Sequence, residues 1–242
     1  LKKFSVDQNY TNLIIFSILS SLLILVRGEF FLFYFFILFY FFVYNYKNVK
    51  YLIISIIITS FLISPYLIRN YKTFNEIILT KSLGYNLLKG NNIEFKVEGN
   101  LDFIEKEYNR AELKIPTDNN YEIRLDDFYK NQAIEFITKN PTKFFLNYFL
   151  KVFSFLFFDF NSTYQNYYNI LHLLPKILLS FTSLIGAILV IRKRSYLQFL
   201  SLYYFLNIFF FSIFFILPRY SLIMLPIQIL LTIEFYKFCL RK

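Results

Sequence analysis

Three arginines carry the chemistry that this sequence suggests most clearly. Arg27 and Arg69 each follow a long apolar run, and Arg219 stands at the start of another. Ionisable side chains at the edge of a bilayer tend to face a cavity or to pair with another charge. Because a guanidinium donates two parallel hydrogen bonds to phosphate, we predict that these arginines bind the phosphate of an anionic lipid. The alternative is that each one reaches toward headgroups or pairs locally, as Arg27 can with Glu29.

A fourth base, Lys151, lies within a predicted interfacial helix. The polar residues of this stretch recur at spacings of 4, 4 and 3, which places them on one helix face. They are Lys143, Asn147, Lys151 and Ser154. We expect a helix over 143–158 to lie in the outer membrane interface with its apolar face toward lipid. Lys151 is therefore a further candidate for the lipid phosphate.

Asparagines and glycines follow Arg69 in the chain. Amide side chains hydrogen-bond sugar hydroxyls, so we predict a polar loop that lies beside Arg69 and contacts a sugar or its acceptor. Asn and Gly are also ordinary turn formers, which leaves a purely structural explanation open. The residues assigned to this side of the site are Asn70, Tyr71, Asn86, Asn91, Asn92 and Tyr220.

The carboxylates provide no evident catalytic acid. Asp126 and Asp127, with Glu122, resemble the paired carboxylates of acid–base catalysis, but the charges of both signs around them indicate a solvated surface. Asp159 is a lone acid at the end of the predicted interfacial helix. With one His and one Cys in the chain, neither a zinc site nor a histidine-based triad is expected. We assign no catalytic residue within this chain.

Composition indicates that the solvent of this chain is a lipid bilayer. The chain is 57% hydrophobic with a mean hydropathy of +0.46, whereas about 45–50% apolar residues is usual for a globular domain. The net charge of +10 is unevenly distributed, since residues 69–142 hold 11 Lys/Arg and 12 Asp/Glu. The excess of bases therefore flanks the apolar runs, which is typical of membrane orientation and not of nucleic-acid binding.

The apolar runs predict an all-α integral membrane protein with six transmembrane helices. The first two runs form a helical hairpin with its tip at Arg27–Glu29. An extracytoplasmic α-rich insert, 69–169, separates the membrane segments 1–68 and 170–242, and helical spacing over 125–139 ends at Asn140-Pro141. The predicted spans are 12–26, 30–44, 51–68, 170–191, 196–217 and 220–238.

The positions of the bases orient these spans. The bases that flank them can all be placed on one side, which the positive-inside rule makes cytoplasmic. The long loop then faces outward from a plasma membrane, by our interpretation the inner membrane of a bacterium. The bases are Lys2, Lys3, Lys47, Lys50, Arg192, Lys193, Arg194, Lys237, Arg241 and Lys242.

With these residues in place, the chain resembles the C-terminal half of a polytopic glycosyltransferase of the GT-C class. The likeness is to the dolichyl-phosphate-mannose-protein mannosyltransferase-like and aminoarabinose transferase-like families. The order and sidedness of the motifs carry it, more than any single motif. The motifs are Pro65 with Arg69-Asn70-Tyr71 and Phe74, Gly84-Tyr85-Asn86-Leu87, Gly90-Asn91-Asn92, Asn140-Pro141 with Lys151, and Pro218-Arg219-Tyr220 with Pro226.

The resemblance implies transfer of a sugar from a polyprenyl-phosphate carrier to a lipid, glycan or protein acceptor. Arg69 and Arg219 would lie near the carrier phosphate, and the donor would be a substrate, with no further cofactor expected and the role of a divalent metal open. These families keep their catalytic acid in an N-terminal half, so we expect that acid upstream of Leu1. The alternatives are a non-catalytic membrane subunit and a transporter of lipid-linked glycans. Protein partners are not indicated.

Overall fold

The computed structural model describes residues 10–44, 49–112, 115–193 and 197–240, and all regular structure in these residues is helical. This confirms the predicted all-α class. The bases Lys2, Lys3, Lys47, Arg194, Arg241 and Lys242, on which the predicted orientation partly depends, lie outside the described residues. The helices are α1 (Tyr10–Val26), α2 (Phe30–Tyr44), α3 (Val49–Phe74), α4 (Leu83–Gly90), α5 (Leu101–Glu112), α6 (Tyr121–Lys139), α7 (Pro141–Leu156), α8 (Ile170–Arg192), α9 (Gln198–Phe211), α10 (Pro218–Ile223) and α11 (Leu225–Leu240).

The chain divides into two compact units. The first comprises the residues up to Lys81 together with Thr117–Asn120, and the second comprises Ser82–Pro116 together with the residues from Tyr121 onward. The first unit therefore contains α1–α3, and the second contains α4–α11.

In the first unit, α1 and α2 form the predicted hairpin with its tip at Arg27–Glu29. Hydroxyl groups join all three helices of this unit. The Ser55 hydroxyl lies 2.9 Å from that of Ser17 and 3.0 Å from that of Tyr34. Small residues with interhelical hydroxyl contacts of this kind are typical of helices that pack within a membrane.

Helix α3 is longer than the sequence predicted. The predicted run ended at Ile68 and passed into a polar loop, but the helix continues to Phe74 and ends at Asn75, which has a left-handed φ of 56°. Pro65 lies inside it and cannot donate to the carbonyl of Phe61. The Ser64 hydroxyl donates to that carbonyl instead, at 2.8 Å, so the helix continues past the proline.

In the second unit, a loop predicted around Gly84 and Gly90 is instead helix α4. Both glycines are sites of close packing. A Cβ at Gly84 would lie 1.9 Å from the Asp126 carbonyl oxygen, and one at Gly90 would lie 2.0 Å from the Phe214 carbonyl oxygen. The helix lies against α6 and α5, where Leu88, Phe103, Ile104, Tyr129 and Ala133 form a buried cluster.

Asp126 was predicted to be a solvated surface residue, and this is wrong. Its carboxylate is buried and accepts a hydrogen bond from the Tyr85 backbone N–H at 3.0 Å. Tyr85 lies in the first turn of α4, where backbone N–H groups have no partner inside the helix. Asp126 therefore caps α4 from the neighbouring helix α6, which covers the predicted helical stretch 125–139.

The rest of the second unit packs α8 against α11, with α9 beside both. Gly186 in α8 allows this approach, since a Cβ there would lie 2.0 Å from the Leu231 carbonyl oxygen. Polar side chains again bridge the helices, because Gln228 Nε2 donates to the Tyr204 hydroxyl at 3.1 Å. Helix α8 agrees with the predicted span 170–191.

Two predicted spans near the C-terminus are interrupted. The run 196–217 was predicted as one helix, but α9 ends at Phe211. The carbonyls of Ile213 and Phe214, which a continuous helix would use, accept from Lys151 instead, and the Ile216 N–H donates to the Val97 carbonyl. The run 220–238 is divided into α10 and α11 at Met224.

Among the described residues, two helices are long and apolar enough to cross a membrane: α3 and α8. Less than a third of each apolar window is buried within the protein, whereas a core helix of a globular domain is mostly buried. Exposed side chains on α3 include Ile57 and Phe61, and those on α8 include Leu178 and Phe181. Apolar surface on this scale suggests contact with lipid.

Candidate phosphate-binding surface

The first unit contains Arg27 and Arg69, two of the four predicted phosphate ligands. Arg27 forms an ion pair with Glu29 across the hairpin tip, with 2.5 Å between the guanidinium and the carboxylate. This is the local pairing that the sequence left open. Arg69 is exposed on the last turns of α3, with its Nη1 3.5 Å from the Asn70 side-chain oxygen.

Asn70 and Tyr71 follow Arg69 on the same helix but have different surroundings. The Asn70 side chain is buried and donates to the Ile78 carbonyl at 2.8 Å, which fastens the chain after α3 to the helix end. The Tyr71 side chain is about half exposed, at 52%. Asn70 thus has a structural partner, whereas Tyr71 presents its ring to the surroundings.

Lys151, predicted as a phosphate ligand, lies at the centre of the second unit. Its side chain is fully buried, although it sits on the predicted helix α7. The ammonium donates to the Phe214 carbonyl at 2.7 Å and the Asn91 Oδ1 at 2.9 Å, with the Gly90 carbonyl at 3.2 Å and the Ile213 carbonyl at 3.3 Å. We call this arrangement the Lys151 clamp.

The Lys151 clamp uses the whole hydrogen-bonding capacity of the ammonium. Three N–H donors face four oxygens, so in this arrangement none is left for a lipid phosphate. Burial lowers the pKa of the Lys151 side chain to about 7. The clamp joins the C-terminal end of α4 to the segment that follows α9.

The asparagines after α4 are also part of the protein interior. Asn91 donates to the Leu87 and Ile213 carbonyls, each at 2.8 Å, and Asn92 donates to the Leu88 and Lys89 carbonyls at 3.0 and 3.1 Å. Both side chains are buried, which matches the structural explanation that the sequence left open. Asn86 is partly buried within α4.

Two cations near the clamp, Lys89 and Arg219, interact electrostatically with each other. Lys89 precedes Gly90, and its ammonium lies 4.6 Å from the centre of the Phe215 ring. Burial lowers the pKa of Lys89, and the positive charge of Arg219 lowers it further. Neither Lys89 nor Arg219 forms an ion pair with an acid in the part of the chain that the structure describes. Lys89 and Arg219 are therefore two cations of one region that are not paired with an acid in the described residues.

Aromatic packing positions Arg219. Its neighbour Tyr220 lies against two rings of the preceding segment, with ring centres 5.5 Å from Phe211 and 6.0 Å from Phe215. Arg219 itself is exposed. The sequence identified Arg219 and Tyr220, but it missed Lys89, which lies in a stretch dominated by turn-forming residues and shows no distinguishing signal.

Two buried acids of the second unit, Glu98 and Asp159, accept hydrogen bonds from the protein itself. Glu98 accepts from the Thr163 backbone N–H at 3.0 Å, from the Thr163 hydroxyl at 2.7 Å and from the Ser162 hydroxyl. Asp159 accepts from the Asn161 backbone N–H at 3.0 Å, and burial is the main cause that raises its pKa. The sequence singled out Asp159 but not Glu98, whose burial depends on contacts 64 and 65 residues away.

Comparisons of the chain with models of protein families, with characterised proteins and with solved structures find no match. Within residues 10–44, 49–112, 115–193 and 197–240, no three His, Cys, Asp or Glu side chains are grouped so that they could hold a metal ion.

Proposed function

We propose that this chain is the C-terminal part of a membrane glycosyltransferase that takes a sugar from a polyprenyl-phosphate carrier. The acceptor is a lipid, a glycan or a protein on the outer face of the membrane. The observation that carries this proposal is the Lys89–Arg219 pair, two cations that interact electrostatically and form no ion pair with an acid among the described residues. The motifs around Arg219 and the apolar character of the chain support the same conclusion.

Two neighbouring cations repel each other, and an anion bound between them relieves that repulsion. A phosphate supplies that anion and accepts hydrogen bonds from both an ammonium and a guanidinium. When the bond between the sugar and the phosphate breaks, negative charge grows on the phosphate oxygens. Positive groups held in place before the reaction stabilise that charge, which is often the largest single contribution to catalysis.

The proposal includes six membrane crossings in a bacterial plasma membrane, with the segment 69–169 outside. Helices α3 and α8 are two of the crossings, and α1 and α2 are shorter apolar helices. The remaining two are α9 with the segment 212–217, and α10 with α11. Non-helical backbone within a membrane is tolerated where it is buried in protein with its polar groups satisfied, and the Lys151 clamp satisfies the carbonyls of Ile213 and Phe214 in this way.

In this proposal the phosphate ligands are Arg219 and Lys89, and Arg69 belongs to the same outer face of the membrane. The carboxylate that deprotonates the acceptor is expected in a segment upstream of residue 1. This chain then supplies the binding and charge stabilisation of the carrier phosphate, and the upstream segment supplies the base.

Binding of a soluble carrier analogue tests the proposal. The chain in nanodiscs of uncharged lipid is titrated with farnesyl phosphate, with farnesol as the uncharged comparison. A charge-assisted hydrogen bond contributes roughly 1.5–3 kcal/mol, so Lys89→Ala and Arg219→Ala should each weaken farnesyl phosphate binding by roughly 10- to 100-fold. Lys139→Ala is the matched control, since Lys139 is an exposed lysine of the same unit already paired with Glu135.

The outcomes separate the proposal from its rivals. Equal affinity of farnesyl phosphate and farnesol, or unchanged affinity in both alanine variants, contradicts the phosphate site. Phosphate-dependent binding with the expected losses supports it. Sugar transfer by the chain joined to its upstream segment, and its loss in Arg219→Ala, would then distinguish an enzyme from a non-catalytic subunit.

A further inference from the structure

An open polar cleft lies in the first unit, where α3 ends. It has a volume of about 550 Å³ and is lined by residues 71–75 on one side and 118–120 on the other. Small-molecule sites in proteins are typically about 300–1,000 Å³, so the cleft is large enough for one or two sugar rings. It is distinct from the Lys89–Arg219 pair, which belongs to the second unit.

Local backbone geometry shapes both walls of the cleft. Asn75 has a φ of 56° and donates its backbone N–H to the Tyr71 carbonyl at 2.8 Å, which ends α3 in a tight turn. On the opposite wall, the Asp118 carboxylate accepts from the Asn120 backbone N–H at 2.9 Å. These hydrogen bonds fix the backbone of both walls and leave most of the side-chain polar atoms in the cleft free to bind a ligand.

Several side chains in the cleft are available to a ligand. The Tyr71 side chain is 52% exposed, and the side chains of Asn75 and Asn119 are exposed. None of these three side chains has a hydrogen-bond partner in the described part of the chain. Each amide offers one acceptor and two donors, and the tyrosine adds a flat apolar face with a hydroxyl at its edge.

The charges in the cleft do not select an ion. Lys72 contributes one positive charge and Asp118 contributes one negative charge, so neither an anion nor a cation is favoured overall. A purely apolar ligand would leave the amide side chains without hydrogen-bond partners, and this loss is unfavourable. A neutral molecule with many hydroxyl groups and a flat apolar face fits these requirements, and that description is a saccharide.

We propose that this cleft binds a neutral saccharide, with Tyr71 stacking on the sugar ring and Asn75 bonding to its hydroxyls. Saccharide binding in itself is independent of the phosphate site. That the saccharide is the donor or acceptor sugar of a transferase rests on the proposed function. The proposal extends the predicted role of Tyr71 to Asn75 and to the loop 118–120, for which no role was predicted from the sequence.

Saturation-transfer NMR on the chain in nanodiscs tests the proposal, with the methyl glycosides of glucose, mannose, galactose and N-acetylglucosamine as probes. At least one of them should bind saturably, and Tyr71→Ala and Asn75→Gly should each weaken that binding at least tenfold. Asn75→Gly removes the amide without backbone strain, because glycine readily adopts positive φ.

The chain offers a matched control for each substitution. Asn166 also has a left-handed φ, of 57°, and lies in the second unit, so Asn166→Gly makes the same change outside the cleft. Tyr164 is exposed to a similar extent, 46%, and Tyr164→Ala is the second control. Both controls should bind the glycoside as the unmodified chain does.

The proposal is overturned if none of the four glycosides binds saturably, or if Tyr71→Ala and Asn75→Gly bind as tightly as the controls. Arg219→Ala separates this proposal from the phosphate site, since it should weaken farnesyl phosphate binding and leave glycoside binding unchanged. If the chain binds a glycoside but not farnesyl phosphate, the saccharide-binding cleft is supported and the proposed function is contradicted.

Discussion

Replacement of Lys151 by methionine tests the Lys151 clamp directly. Methionine has a similar length but neither charge nor donor, so Gly90, Asn91 Oδ1 and Phe214 lose their bond to the ammonium, while the Ile213 carbonyl keeps its bond from Asn91. A buried acceptor left without a donor costs roughly 1–3 kcal/mol. Three such acceptors give a cost of roughly 3–9 kcal/mol to the free energy of unfolding.

Burial of the ammonium opposes this stabilisation and makes it depend on pH. The pKa of Lys151 falls from 10.5 to about 7 on folding. Between these two values the unfolded chain binds more protons than the folded chain, so the free energy of unfolding rises with pH. Each pH unit corresponds to about 1.4 kcal/mol, and the ammonium therefore costs about 5 kcal/mol below pH 7.

The Lys151→Met variant lacks this titration. The difference in unfolding free energy between the unmodified chain and the variant should therefore grow by roughly 2 kcal/mol from pH 7 to pH 9. Reversible unfolding by SDS in mixed micelles at pH 7, 8 and 9 measures it. Lys130→Met, at an exposed lysine, is the matched control for the substitution itself.

A difference that stays constant or shrinks between pH 7 and pH 9 would contradict the lowered pKa of Lys151 in the folded chain. A constant difference in unfolding free energy would mean that Lys151 has the same pKa in the folded and the unfolded chain. Titrations of other groups appear in both proteins and cancel in the difference.

Other predictions concern packing and buried amides. Gly90→Ala would place a methyl group 2.0 Å from the backbone oxygen of Phe214. This substitution should lower the free energy of unfolding by at least about 2 kcal/mol. Gly28→Ala should lower it less, because the added methyl group meets only the Thr80 side chain. The Asn147 side-chain nitrogen is buried without a hydrogen-bond partner among the described residues, so Asn147→Leu should raise the unfolding free energy by about 1 kcal/mol. Asn91→Leu should lower it instead, because Asn91 has partners on both its amide atoms. SDS unfolding at pH 7 measures all four, and equal effects of the two asparagine substitutions would contradict this account.

The parts of the fold that the sequence predicted are those determined by local pattern. The hairpin tip at Arg27–Glu29, the helix α8 and the break at Asn140-Pro141 follow from apolar runs, flanking charges and a proline. Such signals depend on neighbours in the chain, so one sequence is sufficient to recognise them.

The parts that the sequence did not predict depend on contacts between distant residues. Gly90 suggests a turn until it is known to lie against the Phe214 backbone. The apolar stretch after Phe211 suggests a continuous helix until its carbonyls are found to accept from Lys151, 62 and 63 residues away. Periodicity placed Lys151 correctly on a polar helix face, but it could not show that this face is buried.

The candidate site was predicted only in part, for the same reason. Arg219 was found because arginine beside an apolar run is unusual. Lys89 was missed because its importance arises from its proximity to Arg219, 130 residues later in the chain. The cleft at the end of α3 was missed apart from Tyr71, because residues 118–120 join the first unit from a distant part of the sequence.

The Lys151 clamp also constrains when the second unit can fold during synthesis of the chain. When α7 leaves the ribosome, two of the four oxygens around Lys151 belong to residues that are made more than 60 positions later. Until then the charged side chain has only the partners at Gly90 and Asn91 and must stay near water. The interior of the second unit therefore closes only after Phe214 has been synthesised, and a chain that stops earlier would leave the Lys151 ammonium without two of its four acceptors.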